Sequence, residues 1–265
     1  MRTPLRIQLE AACRRIYPER TVYIVLASEA PRDFICPTAG AYCARHLDLT
    51  LRECLADRWT GRGAAMLLND RAIWRCVRGR CGRRWNLLRN ELAAACVHEL
   101  SHVVSRPVIQ SETETNPIEA RPTSEYLRQF CATPITEREA RVRWAGHDAG
   151  FIRTAEHVGC RMQRQLDFRL QPPYINTEDY GLSSAWQYHA ALADEPSRLA
   201  DLPLTELSVI APPAAFVELW RSDVRKWFTS ISDPTTPQTA AMLCGMKIFS
   251  TQTTSAAIAG AEMSK

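Results

Sequence analysis

At 265 residues and 29.9 kDa, the chain is long enough for one large domain or two small ones. Hydrophobic residues make up 46% and charged residues 23%, with only 11 Gly and 16 Pro, a balance that excludes a disordered, collagenous or coiled-coil chain. No apolar run approaches the roughly 18 residues a bilayer-spanning helix needs, and the net charge of +4 is carried almost wholly by Arg, with Lys only at Lys226, Lys247 and Lys265.

The first twenty residues interrupt their apolar positions with Glu10, Arg14 and Arg15, so they lack the core of a secretion signal and the expected compartment is the cytoplasm. Leu5, Leu9, Ala12, Cys13 and Ile16 recur at helical spacing and predict an opening helix. Val22-Tyr23-Ile24-Val25-Leu26 reads as a buried strand. The stretch from Leu47 to Leu55 fits neither period cleanly. Ala65-Met66-Leu67-Leu68 predicts a second short strand, running into a turn at Asn69-Asp70. From Asn86 to Ser105, Leu88, Leu92, Ala95, Cys96, Leu100 and Val103 predict a long helix that must stop before Pro107. Gln110–Pro122 is a polar loop. Thr136-x-x-Glu139 has the form of a capping box opening a short helix through Trp144. Phe151, Ala155, Val158, Met162 and Leu166 form one apolar face of a further helix, and Pro172-Pro173 is the candidate boundary after it. Phe216, Trp220, Val224 and Trp227 predict an amphipathic helix, followed by a Thr/Ser/Ala-rich stretch expected to be a flexible tail.

The ten cysteines are scattered from Cys13 to Cys244 without a disulfide framework. In a reducing compartment most are expected to be buried thiols. Neither Cys36/Cys43 nor Cys76/Cys81 has zinc-ribbon spacing. Arg71, Arg75, Arg78, Arg80, Arg83, Arg84 and Arg89 form a basic cluster with no acid between them. It reads first as a solvated face beside the core residues Ile73, Trp74, Val77 and Trp85, and second as a surface for phosphate or carboxylate groups, as of nucleic acid or an acidic partner.

One motif carries chemistry. His98-Glu99-Leu100-Ser101-His102 is an H-E-x-x-H pattern within the long predicted helix. Residues four apart on a helix stand one turn above each other, so both imidazoles can reach one zinc ion. Glu99, beside the first ligand, can accept a proton from water on that metal. A catalytic zinc takes three protein ligands and keeps one position open. The short form with a third His six residues on fails, because Ser105 and Val108 stand where Gly and His are needed. Glu112, Glu114, Glu119 and Glu125 are carboxylate candidates. His147 is better placed, just ahead of the helix that begins near Phe151, with Asp148 available to cap that helix and Phe151 to pack its end and fix the imidazole. His46, His157 and His189 have weaker contexts. Tyr126, His157, Tyr174 and Tyr180 are the candidates for a donor to the oxyanion of peptide hydrolysis.

These residues resemble the SprT-like zinc metallopeptidases, which pair H-E-L-x-H on one helix with a later H-G-x-x-aromatic segment. His98-Glu99-Leu100-Ser101-His102 matches the first element. His147-Asp148-Ala149-Gly150-Phe151 matches the second, with Asp148 in place of Gly. The resemblance covers residues 60–166 and implies His147 as third ligand. Forty-four residues separate His102 from His147, implying an insertion around 107–135, and the C-terminal zinc ribbon of many members is not visible.

The expected architecture is α+β: a zincin-like catalytic domain over 1–170 with an active-site helix and a small sheet, a helical accessory region over 171–230 and a tail over 231–265. The expected function is zinc-dependent hydrolysis of protein or peptide substrates, with His98, His102 and His147 on Zn2+ and Glu99 as base. The alternative is a zinc-stabilised module that binds nucleic acid or another partner through the Arg71–Arg89 cluster.

Overall fold

The computed structural model describes residues 4–30, 41–42, 52–60, 63–78, 84–105, 148–172, 174–175, 177 and 182–232. In chain order these contain α1 (Leu5–Ile16), β1 (Val22–Leu26), β2 (Ala41–Tyr42), α2 (Arg52–Leu55), β3 (Ala64–Leu68), α3 (Asp70–Arg78) and α4 (Arg84–Ser105). Then follow α5 (Ala149–Gln165), α6 (Ala185–Leu192), α7 (Glu195–Arg198), a 3-10 turn at Leu204–Val209, and α8 (Ala214–Ser232). This is an α+β arrangement of helices around a three-stranded sheet. The described residues up to Trp220 belong to one compact unit and those from Arg221 to another. No helix among the described residues is long and apolar enough to cross a membrane.

The strand order is β1-β3-β2, with β1 parallel to β3 and β2 antiparallel to it. Because side chains alternate across a strand, each of the two longer strands feeds both faces. Val22, Ile24, Ala64, Met66 and Leu68 join the main core with Leu9, Ala12 and Ile16 of α1, Leu92, Val97 and Leu100 of α4, and Val158 and Met162 of α5. Tyr23, Val25, Ala65 and Leu67 form a second cluster with Leu55 and Trp59. Burial on both faces explains why these strands read as unbroken apolar runs.

Among the described residues β1 is an edge strand, and side chains bond its outer edge. Glu10, buried on α1, accepts from Ile24 N–H (2.9 Å) and from Arg58 Nη1 (2.7 Å), while the Arg58 guanidinium donates to Ile24 C=O (3.3 and 3.4 Å). One acid and one base thus stand in for the missing neighbour strand. Gly63, ahead of β3, has φ +143°, and a Cβ there would lie 2.6 Å from Tyr23 Cε2 and 2.7 Å from Thr21 O. Only glycine fits that entrance to the strand.

Two local expectations change. Asn69 is not merely part of a turn: its Oδ1 accepts from Ala72 N–H (3.0 Å), making it the cap that starts α3. Trp74 and Trp85 are not core residues; they are 39% and 59% exposed. Ile73 and Val77, one turn apart, occupy the inward face of α3, which turns Trp74 outward with Arg71, Arg75 and Arg78.

Candidate metal centre

α4 runs through the core and carries the H-E-x-x-H motif on its second half. Leu92, Ala93, Cys96, Val97 and Leu100 take its apolar arc, leaving His98 and His102 on a neighbouring face one turn apart. Their Nε2 atoms are 3.2 Å from each other, with ring planes at 76°. Two nitrogens bound to a tetrahedral zinc at 2.0–2.1 Å stand about 3.3–3.4 Å apart. The separation is thus close to that of two nitrogens on one metal ion, and the same spacing permits a hydrogen bond between the rings. Glu99, between the two in sequence, is 4% exposed. Ser101 turns back into α4, its hydroxyl donating to Val97 C=O (2.6 Å).

The rings are held from the other side by α5. Asp148 caps this helix by accepting from Phe151 N–H (2.8 Å). That cap sets Phe151, which stacks on His102 at 4.3 Å between centroids and meets His98 edge-on at 5.2 Å. The expectation that Phe151 packs this end of the helix holds; among the described residues it contacts the imidazoles of His98 and His102, whereas its expected contact with His147 lies outside them. Burial against this wall lowers the pKa of His98 to about 4. It is thus kept neutral near pH 7, the state a metal ligand requires.

His98, Glu99 and His102 are brought together. His147 lies outside the described residues, as do His46, Glu112, Glu114, Glu119, Glu125, Tyr126 and Tyr180 and the predicted 136–144 helix. Among the described residues, no group of three His, Cys, Asp or Glu side chains is arranged to hold a metal ion. Glu156 is committed elsewhere: its Oε2 pairs with His189 Nδ1 at 2.6 Å. His157 is fully buried, its Nε2 3.8 Å from Glu195 Oε2, and burial lowers its pKa. An imidazole enclosed in that way has no path to a substrate oxyanion. Tyr174 is packed against Gly159, where a Cβ would lie 2.1 Å from its ring.

The sequence reading missed the polar side of α5. Arg153, 1% exposed, donates to Glu195 Oε1 (Nε, 3.1 Å) and to the carbonyls of Leu207 (3.0 Å) and Ile210 (2.8 Å). Arg161 donates to the carbonyls of Leu199 and Leu202. Burial alone would raise the Glu195 pKa, but the hydrogen bonds from Arg153 and the nearby His157 imidazole outweigh it and lower it. α5 is therefore enclosed on its charged side as well as its apolar side, which anchors the helix whose first turn supports the two histidines. Arg-x-x-Glu-His at helical spacing was the available signal, but its partners lie some forty residues away.

Comparison with protein families, curated proteins and solved structures finds no match to this chain.

Proposed function

We propose that the chain is a zinc-dependent metallopeptidase with a zincin-like catalytic domain, resembling the SprT-like family. The supporting observation is the Nε2–Nε2 separation of 3.2 Å between two imidazoles one helical turn apart, with a buried glutamate in the same turn. His98 and His102 hold the ion, and His147 is the third ligand. His147 is covalently joined to Asp148, the cap of the helix that lays Phe151 across both rings. Bound zinc supplies Lewis acidity, polarising a peptide carbonyl and lowering the pKa of water to about 7. Glu99 accepts the proton of the attacking water and passes it to the leaving amine. Asp148 and Phe151 fix the orientation of the two imidazoles, and Phe151 excludes solvent from one side of them.

Two substitutions test this. Glu99→Gln retains stoichiometric zinc and the native thermal transition but loses hydrolysis of an unfolded protein substrate by at least 100-fold. His147→Ala loses zinc, read by elemental analysis after dialysis. Full zinc retention in His147→Ala transfers the third position to another residue, and an active Glu99→Gln removes the peptidase reading.

A second reading rests on the exposed tryptophans. Arg71, Trp74, Arg75 and Arg78 share the outward face of α3, and Trp85 is exposed at the start of α4. Arginine to contact phosphate and indole to stack on bases suit a nucleic-acid partner. If this face binds nucleic acid, replacing the three arginines with Gln weakens the affinity and flattens its salt dependence.

A further inference from the structure

The main core holds a pair of thiols that the proposed hydrolysis does not use. Cys13 on α1 and Cys96 on α4 face each other with their sulfur atoms 3.6 Å apart, although 83 positions separate them in the chain. Both are completely buried in the same cluster. Ala12, next to Cys13, and Ala93, almost one helical turn before Cys96, are buried in that cluster too. A bond of about 2.05 Å requires the two sulfurs to close a further ~1.5 Å from this contact.

We propose that Cys13 and Cys96 form a reversible disulfide that staples α1 to α4, two residues ahead of His98. With an uncharged diazene oxidant, one sulfur adds to the N=N bond. The second sulfur then displaces the hydrazine, so the S–S bond forms as two S–H bonds are lost and the diazene takes up both hydrogens and both electrons. A dithiol reductant reverses the step by exchange. Neither sulfur touches solvent, so oxidation waits on local opening of the α1–α4 contact and runs slowly in the intact fold. Once formed, the bond closes a loop of more than eighty residues and restricts the unfolded chain, which stabilises the fold. The proposal is independent of the metal-centre reading.

The test uses the full chain, treated with diamide in sub-denaturing urea, returned to buffer, alkylated and digested. The expected products are a Cys13 peptide joined to a Cys96 peptide, a thermal midpoint raised by about 5 °C or more, and reversal of both by dithiothreitol. Cys13→Ala gives neither the link nor the rise. Recovery of Cys13 and Cys96 as alkylated thiols, under treatment that oxidises the exposed Cys76, overturns the proposal. So does pairing of either with a different cysteine, or a linked protein with an unchanged or lower midpoint.

Discussion

Acidifying the metal-free protein should destabilise it through His98 in a defined window. Burial places the folded-state pKa of this imidazole at about 4, against 6.5 for the ordinary group. Between those values the unfolded chain binds a proton at this site and the folded chain does not, so stability falls as pH falls. Each pKa unit corresponds to about 1.4 kcal/mol, giving a loss of about 2.5 kcal/mol from His98 by pH 4.5 and slightly more by pH 4. Against a typical total stability of 5–15 kcal/mol this is large enough to measure. Urea unfolding with a chelator present, at steps from pH 7.5 to 4.5, would be compared for wild type and His98→Asn. His157 is shifted in the same direction, but it is present in both proteins, so their difference isolates His98. The wild type should lose stability faster than the variant on acidification, the gap changing by about 2 kcal/mol or more. Parallel curves across this range would refute the claim that the ring is held neutral by its packing against Phe151 and α4.

Arg153→Met should cost about 3–5 kcal/mol in denaturant unfolding, because it leaves Glu195 charged and buried without its guanidinium; adding Glu195→Gln should recover much of that loss. Gly159→Ala should lower stability by about 1–3 kcal/mol, since the new methyl collides with the buried ring of Tyr174 rather than with a flexible chain end. His189 has its pKa raised chiefly by its hydrogen bond to Glu156. Its contribution is therefore complete below the ordinary imidazole pKa and disappears as pH rises through the higher folded-state value. His189→Ala should destabilise the protein more at pH 6 than at pH 9, by thermal melting at matched ionic strength.

Local pattern was enough for the elements that position the candidate site. The 3.6-residue period marked α1, α4 and α5, and unbroken apolar runs marked β1 and β3. Pro107 lies two residues after the observed end of α4, in keeping with a ring that cannot continue a helix. Asp148 was recognisable as a cap because its side chain bonds a backbone N–H only three residues on. His98, Glu99 and His102 were legible for the same reason: the helix itself supplies their relative positions.

Pairing across long separations was not legible. Nothing in Val22–Leu26 or Ala64–Leu68 announces that they run parallel, or that Glu10 and Arg58 close the outer edge at Ile24. Nor could composition show that Trp74 and Trp85 stand in solvent while Arg153, Glu156 and His157 are buried. Apolar periodicity identifies a helix and one inward face, because those depend on neighbours within a turn or two. Whether the opposite, charged face meets water or a distant stretch of chain depends on contacts such as Arg153 with Glu195, Leu207 and Ile210. The sequence alone thus determined the histidine pair and its helix; only tertiary packing decided that a second helix, charged side enclosed, would close Phe151 over them.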